Sequence, residues 1–166
     1  GTRELMQHKA TALVMNTGVP AMLDLCKQSG KPFIYGGHGH GPAFIERTAN
    51  LQQAVADIML SKTFDYGMGA GAEQAVVVDG CVSETVQREF EKRGAYFLSD
   101  AESHQLGRRL FPKGALDLEL VGQCAETLAK AAGLQVPAGT KLLIAPQSHV
   151  PLDDGYHREL LCPVLA

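Results

Sequence analysis

One short segment that could hold a ligand is dominated by glycine: Gly36-Gly37-His38-Gly39-His40-Gly41-Pro42. Dense glycine lets a backbone approach a bound group closely and point its amide donors at it. The segment neither follows the first strand of a unit nor opens a helix, so it is not a dinucleotide fingerprint. Two interpretations stay open, a turn between strands and a ligand loop, and the bare pattern favours the turn.

Histidines and cysteines are the residue types that could bind a transition metal. His38 and His40 are two positions apart, which on an extended chain places both rings on one side. No third ligand lies near them in sequence, and the cysteines form no Cys-x-x-Cys pair. We therefore predict no metal site, and we expect reduced, mostly buried thiols at Cys26, Cys81, Cys124 and Cys162.

A strand-to-helix junction at Thr17-Gly18, followed by Pro20, is a candidate anion site. Proline is common in the first turn of a helix, and the free amides of a helix start favour a phosphate. A plain turn explains the same residues equally well. No serine stands in a Gly-x-Ser-x-Gly elbow, and Cys81 follows a predicted strand, where it looks structural.

Carboxylates near the end of the chain form a second candidate. Asp153-Asp154-Gly155 could serve acid and base chemistry or bind a cation, but two aspartates and a glycine after Pro151 are typical of a surface turn. Glu159 is either a solvated helix residue or a ligand of a ribose, and the pattern alone favours the solvated helix.

The elements that must position these residues alternate along the chain. The first 35 residues read helix, strand, helix, strand, which is typical of a parallel sheet with crossover helices. Apolar residues at three- and four-residue steps from Leu51 mark a further helix. We predict helices over residues 2–9, 20–29, 51–62, 82–93, 100–110 and 121–132, and strands over 12–15, 32–35, 43–46, 74–79, 141–145 and 164–166.

Composition excludes several classes of protein. The 166 residues are 45% hydrophobic and 20% charged, as in one ordinary globular domain. Lysine and arginine total 15 against 18 acidic residues, so no excess of positive charge is present to bind nucleic acid. Apolar runs such as residues 75–78 and 142–145 are far shorter than the roughly 20 residues that cross a bilayer. Residues 1–10 do not resemble a secretory signal, so we expect a cytoplasmic protein.

The most specific long run of the chain is Ser61-Lys62-Thr63-Phe64-Asp65-Tyr66-Gly67-Met68-Gly69-Ala70-Gly71-Ala72-Glu73-Gln74, which continues to Asp79. This run resembles the CoA-acylating aldehyde dehydrogenases, and above all the aldehyde dehydrogenase half of the bifunctional aldehyde-alcohol dehydrogenases. Similarity extends over essentially the whole chain, through residues 29–32, 90–96, 121–123 and 159–165.

This resemblance implies an α/β, aldehyde dehydrogenase-like fold with a parallel sheet in a three-layer architecture. Residues 1–46 would be the later part of a Rossmann-like NAD domain, and residues 47–166 most of a catalytic domain. The implied reaction converts an aldehyde, coenzyme A and NAD to an acyl-CoA and NADH through a cysteine thiolate. Its implied partners are small molecules, with a homo-oligomer or a larger polypeptide as the assembly.

The resemblance also assigns site residues. Thr17, Gly18 and Val19 would lie near the cofactor phosphates, Gly36 and Gly37 would pass beneath the nicotinamide, and Glu159 would hold the nicotinamide ribose. The glycine segment contains no glutamate that could act as a hydrolytic base, which fits transfer to coenzyme A.

At four positions, Tyr66, Ala70, Gly71 and Ala72, the chain departs from the family pattern Phe-Asp-Asn-Gly-x-x-Cys-Ala-Ser-Glu-Gln. Alignment puts Ala70 where the nucleophilic cysteine belongs and Tyr66 where the asparagine belongs. An alanine side chain cannot form a thiohemiacetal, so the chemical step should be lost. Two hypotheses follow: a part of an acylating aldehyde dehydrogenase that Ala70 disables, or a non-catalytic module for assembly or for binding a nucleotide or coenzyme A.

Overall fold

The computed structural model describes residues 1–17, 20–37, 39–148 and 155–166. The chain forms two compact units, residues 1–38 and residues 39–166. The predicted boundary after residue 46, between a cofactor domain and a catalytic domain, stays a prediction.

The first unit contains two parallel strands and two helices. Its strands pair in parallel with Val14 opposite Phe33 and Asn16 opposite Tyr35. Gly30 has a φ of +69° just after the second helix, where a left-handed residue commonly ends a helix. The predicted helix-strand series is confirmed, with α1 at Thr2–Gln7, β1 at Val14–Asn16, a 3₁₀ turn at Pro20–Met22, α2 at Leu23–Gln28 and β2 at Phe33–Tyr35.

The second unit is built around a parallel sheet. Its strands are β3 (Gly41–Ile45), β4 (Glu73–Val78), β5 (Ala95–Phe97), β6 (Leu142–Ile144) and β7 (Val164–Leu165). Its helices are α3 (Leu51–Thr63), α4 (Ser83–Lys92), α5 (Asp100–Leu110) and α6 (Ala125–Ala131).

A short strand in the middle joins the two halves of this sheet. The strand β3 pairs with β4, and β6 pairs with both β5 and β7, all in parallel. The Val76 amide donates to the Ala166 carbonyl at 2.9 Å, and the Ala166 amide donates to the Gln74 carbonyl at 3.1 Å. These two bonds place β7 beside β4, so the strand order is β3-β4-β7-β6-β5.

Helices cover the two faces of the sheet and give the predicted three layers. Successive residues of β6 alternate between the faces, so Leu142 and Ile144 pack in one core cluster and Leu143 in the other. The first cluster includes Val55 and Ile58 of α3 with Val86 and Phe90 of α4. The second includes Leu106 and Leu110 of α5 with Leu128 of α6.

Two predictions about local structure are wrong, and one strand was not predicted. The helix predicted over residues 121–132 begins only at Ala125, because Gly122 has a φ of +68° that an α-helix does not tolerate. The strand β5 was not predicted, since three residues carry too little pattern. Glu159 does not lie on a helix: residues 159–161 have no regular secondary structure.

Among the described residues, no helix combines the length and the apolar character that crossing a membrane requires.

Truncating a core leucine tests this packing. Leu106 is fully buried, so Leu106→Ala should lower the free energy of unfolding by about 3 kcal/mol through lost burial and a residual cavity. Leu118 is 81% exposed, and Leu118→Ala should change it by less than about 0.5 kcal/mol. Urea denaturation of both variants measures the difference, and equal losses would contradict the described core.

Candidate functional site

Ala70 lies in an exposed turn directly before β4. The turn is closed by a hydrogen bond of 3.0 Å from the Ala72 amide to the Gly69 carbonyl, and Glu73 begins the strand. Both Ala70 and Gly71 are exposed, whereas Ala72 is buried. A longer side chain at position 70 would therefore extend from a turn anchored at its carboxyl end.

The backbone that leads into this turn is strained. Asp65, Tyr66 and Gly67 have φ values of 47°, 51° and 78°, three left-handed residues in succession. Glycine adopts this region freely and asparagine tolerates it, but a tyrosine there is an outlier. The departure from the family pattern at Tyr66 therefore falls on a residue whose backbone conformation suits asparagine better.

Gly67 also permits the closest backbone approach at the site. A Cβ at Gly67 would lie 2.5 Å from the Cys162 carbonyl oxygen and 3.1 Å from the Lys62 carbonyl oxygen. No side chain fits at 2.5 Å from a backbone atom. Absence of a side chain at Gly67 therefore lets the chain before Ala70 pack directly on the chain before β7.

Gly39 and Glu159 approach the Ala70 turn from two other segments. The Gly39 amide donates to Oε1 of Glu159 at 3.4 Å. A Cβ at Gly39 would lie 3.5 Å from that oxygen and 3.6 Å from the Ala70 carbonyl oxygen. Three loops, which precede β3, β4 and β7, therefore meet at the amino edge of the sheet.

Behind this meeting point lies a buried polar cluster. Lys62, at the end of α3, is fully buried and donates from Nζ to Oε1 of Gln74 and to the Leu160 carbonyl, each at 2.9 Å. Oε1 of Gln74 also accepts from the Leu160 amide at 2.8 Å. Nε2 of Gln74 donates to the Ala72 carbonyl at 3.1 Å.

Burial shifts two pKa values in this cluster. Loss of solvent lowers the pKa of Lys62 from 10.5 to about 8, although the carboxylates of Glu73 and Glu159 oppose the shift by favouring the charged form. Loss of solvent also raises the pKa of the Cys162 thiol to about 12, so this cysteine is a neutral core residue.

The structure unites only part of the predicted site. Ala70 and Glu159 come together in the second unit, whereas Thr17, Gly36 and Gly37 belong to the first unit. Gly18 and Val19 lie outside the described residues. Sequence reasoning missed Lys62 and Gln74, because a lysine at the end of a helix and a glutamine in a strand are ordinarily exposed.

The remaining candidates lie partly outside the described residues. His38, Asp153 and Asp154 lie outside the described residues, and the part of the chain that is described contains no group of three His, Cys, Asp or Glu side chains that could hold a metal. The prediction of mostly buried thiols is half wrong, since Cys26 and Cys162 are buried, Cys124 is half-buried and Cys81 is exposed. His40 donates from Nε2 to the Tyr156 carbonyl at 3.2 Å.

An apolar cleft of about 500 Å³ lies in the second unit. Its walls include the carboxyl-terminal residues of β4, β6 and β7 and the first turns of α4. Ala70, Gly39 and Glu159 are not among its lining residues, but His40, Tyr156 and His157 are, so the cleft borders the segments that carry Gly39 and Glu159.

Known proteins match this chain over nearly its whole length. It is 38% identical over 162 residues to the bifunctional aldehyde-alcohol dehydrogenase AdhE of Escherichia coli, which covers 98% of the chain and 18% of that protein. An acetylating aldehyde dehydrogenase from Geobacillus thermoglucosidasius superposes with a TM-score of 0.94 at 37% identity, over 99% of the chain and 36% of that structure. No family model matches the sequence.

A third relative is a propionaldehyde dehydrogenase from Rhodopseudomonas palustris, with a TM-score of 0.84 at 28% identity over 99% of the chain and 36% of that structure. Its structures hold propionyl-CoA in one case, and CoA with an acylated cysteine in another. The chain thus spans about a third or less of the length of these relatives.

The buried ammonium of Lys62 predicts an unusual pH dependence of stability. Between about pH 8 and 10.5 the unfolded chain keeps a proton that the folded chain releases, so stability should rise with pH in this window. From pH 7 to 9 the free energy of unfolding should rise by about 1 kcal/mol more in the parent protein than in Lys62→Met. Denaturant titrations at each pH measure this, and parallel curves for the two proteins would contradict it.

Relieving the backbone strain at Tyr66 should stabilise the fold. Tyr66 is 53% exposed, so Tyr66→Asn loses little burial and should raise the free energy of unfolding by roughly 0.5–1 kcal/mol. Tyr66→Phe keeps the conformational penalty and is the matched control. A lower free energy of unfolding for Tyr66→Asn than for Tyr66→Phe, measured by urea denaturation, would contradict the left-handed backbone at Tyr66.

Proposed function

This chain is homologous to part of the CoA-acylating aldehyde dehydrogenases, and from that relationship we propose that it is a segment of such an enzyme with a disabled nucleophile position. The proposed parent reaction is reversible conversion of an aldehyde, coenzyme A and NAD to an acyl-CoA and NADH. The supporting observation is the meeting of the Ala70 turn with Gly39 and Glu159 at one edge of the sheet.

Ala70 occupies the position from which a nucleophile would act. In the proposed chemistry a cysteine thiolate adds to the aldehyde carbon, and hydride leaves that carbon to give a thioester. The acyl group of the thioester then passes to the thiol of coenzyme A, which releases the cysteine. The methyl group of alanine has no lone pair with which to form the carbon-sulfur bond. We therefore propose that the chain, as its sequence stands, binds but does not convert substrate.

Gly39 and Glu159 have the chemistry to hold a nicotinamide nucleotide. Carboxylate oxygens accept hydrogen bonds from ribose hydroxyls, and a glycine leaves open the space that a Cβ would fill beside that carboxylate. NAD, when bound, supplies the hydride acceptor. In this proposal Glu159 orients the ribose, while the roles of Thr17, Gly18, Val19, Gly36 and Gly37 stay predictions from the family resemblance.

Coenzyme A rather than water is the proposed acyl acceptor. The glycine segment offers no glutamate to activate water. An aldehyde or an acyl-CoA is the proposed small-molecule partner, and the proposed setting is a cytoplasmic homo-oligomer or a longer polypeptide. The bound propionyl-CoA of the Rhodopseudomonas relative supports the acyl acceptor.

The alternative is a non-catalytic module that keeps the fold for assembly or for binding a nucleotide or coenzyme A. Ala70 favours it, because the turn and its buried supports are retained while the reactive atom is not. The two proposals differ in what restoring a thiol should achieve.

Ala70→Cys should restore the acyl-transfer half of the reaction. Its thiolate would attack the carbonyl of propionyl-CoA, form an S-propionyl cysteine and release the free thiol of coenzyme A. Intact-mass spectrometry should show one added propionyl group, and peptide mapping should place it on residue 70. This step needs no hydride acceptor, so it tests the turn by itself.

Ala101→Cys is the matched control, since Ala101 is exposed on α5 away from the proposed site. Acylation of the variant at position 70 should exceed that of the control at least tenfold. Equal, slow acylation of both cysteines would reject the acylating proposal and favour the non-catalytic module.

A further inference from the structure

Lys62 connects the segments that form the candidate site, and no step of the proposed chemistry uses it. Its two hydrogen bonds of 2.9 Å reach Gln74 on β4 and the Leu160 carbonyl, next to Glu159. The same Gln74 side chain donates to the Ala72 carbonyl, in the turn that carries Ala70. One ammonium group thus joins the end of α3 to both the Ala70 turn and the Glu159 segment.

A side chain at position 62 that only filled buried volume would not need a charge. Lys62 is the only fully buried cation among the residues that the structure describes, and its burial costs enough to lower its pKa to about 8. An apolar side chain of similar length would fill the volume without that cost. An apolar side chain could not donate hydrogen bonds to a backbone carbonyl and to the oxygen of a side-chain amide at once.

One hydrogen bond of Lys62 reaches a backbone segment that belongs to no helix or strand. Residues 159–161 have no regular secondary structure, and Gln74 and Lys62 together satisfy both the amide and the carbonyl of Leu160. Glu159 directly precedes this doubly bonded residue. Its backbone position is therefore fixed by the Leu160 bonds, and the Gly39 amide depends on that position for its carboxylate partner.

We propose that Lys62 is a positioning residue, whose ammonium holds the Leu160 carbonyl so that the Glu159 carboxylate stays beside Gly39 and the Ala70 turn. An effect of Lys62 on cofactor binding rests on the proposed function. The placement of Glu159 beside Gly39 does not rest on it. The charged or titratable groups that act on Lys62 are Glu73 on β4 and Glu159 and Cys162 on the segment before β7.

The Gly39 amide is a direct reporter of this arrangement. Its nitrogen donates to the Glu159 carboxylate, so its NMR resonance should shift when Glu159→Gln replaces that carboxylate with a neutral amide. In the Lys62→Met background the same substitution should shift the resonance at least twofold less, while resonances of α5 stay in place. Lys130→Met, which removes an exposed lysine of α6, should leave the effect of Glu159→Gln unchanged.

A second measurement needs no variant and covers the case in which Lys62→Met does not fold. In the parent protein the Leu160 carbonyl carbon and the Lys62 Cε resonances should titrate together near pH 8, because the carbonyl accepts from that ammonium. A full Gly39 response in folded Lys62→Met, or a Leu160 carbonyl that ignores the lysine titration, would overturn the proposal. Both readouts are independent of acyl transfer, so they separate this inference from the proposed function.

Discussion

Everything at the candidate site depends on the close approach of two loops at the amino edge of a parallel sheet. The chain before β4 and the chain before β7 touch backbone to backbone at Gly67 and Cys162, because Gly67 has no side chain. Lys62, Gln74 and Leu160 then tie the same two loops together with hydrogen bonds that water does not reach. Buried polar groups that bond one another in this way favour one arrangement, since any other would leave the buried ammonium without these acceptors.

This constraint explains why the surroundings of Ala70 are so ordered although Ala70 itself has no chemistry. The turn is fixed at its end by the Ala72 carbonyl, which accepts from Gln74, and approached from outside by Gly39 and Glu159. A methyl group requires none of these supports. In our account the supports belong to an acyl-transfer site, and the alanine removes its nucleophile without disturbing its frame.

Much of the fold could be predicted from the sequence, and the failures have physical causes. Long helices such as α3 and α4 repeat an apolar residue every three or four positions, and this pattern is visible in the sequence alone. The strand β5 has only three residues, and Gly122 interrupts a helical pattern through its backbone conformation alone. Neither feature leaves a periodic signal.

Some residues of the candidate site could likewise be predicted from the sequence, and others could not. Resemblance to a family pointed to Ala70 and Glu159, whereas the roles of Lys62 and Gln74 are visible only in the folded structure, because burial of a polar side chain depends on distant segments. Gly39 was part of a glycine segment in which the sequence could not distinguish a turn from a ligand loop. Its proximity to Glu159, 120 residues later, is a long-range contact that spacing does not encode.

The most direct test of the account is a crystal structure of the unaltered protein soaked with propionyl-CoA. Alanine cannot react, so the thioester should stay intact. We predict its carbonyl carbon in van der Waals contact with the Ala70 methyl group, within about 4 Å, beside Gly39. Propionyl-CoA bound elsewhere, or a turn that excludes it at saturating concentration, would contradict the claim that Ala70 occupies the nucleophile position of an acyl-transfer site.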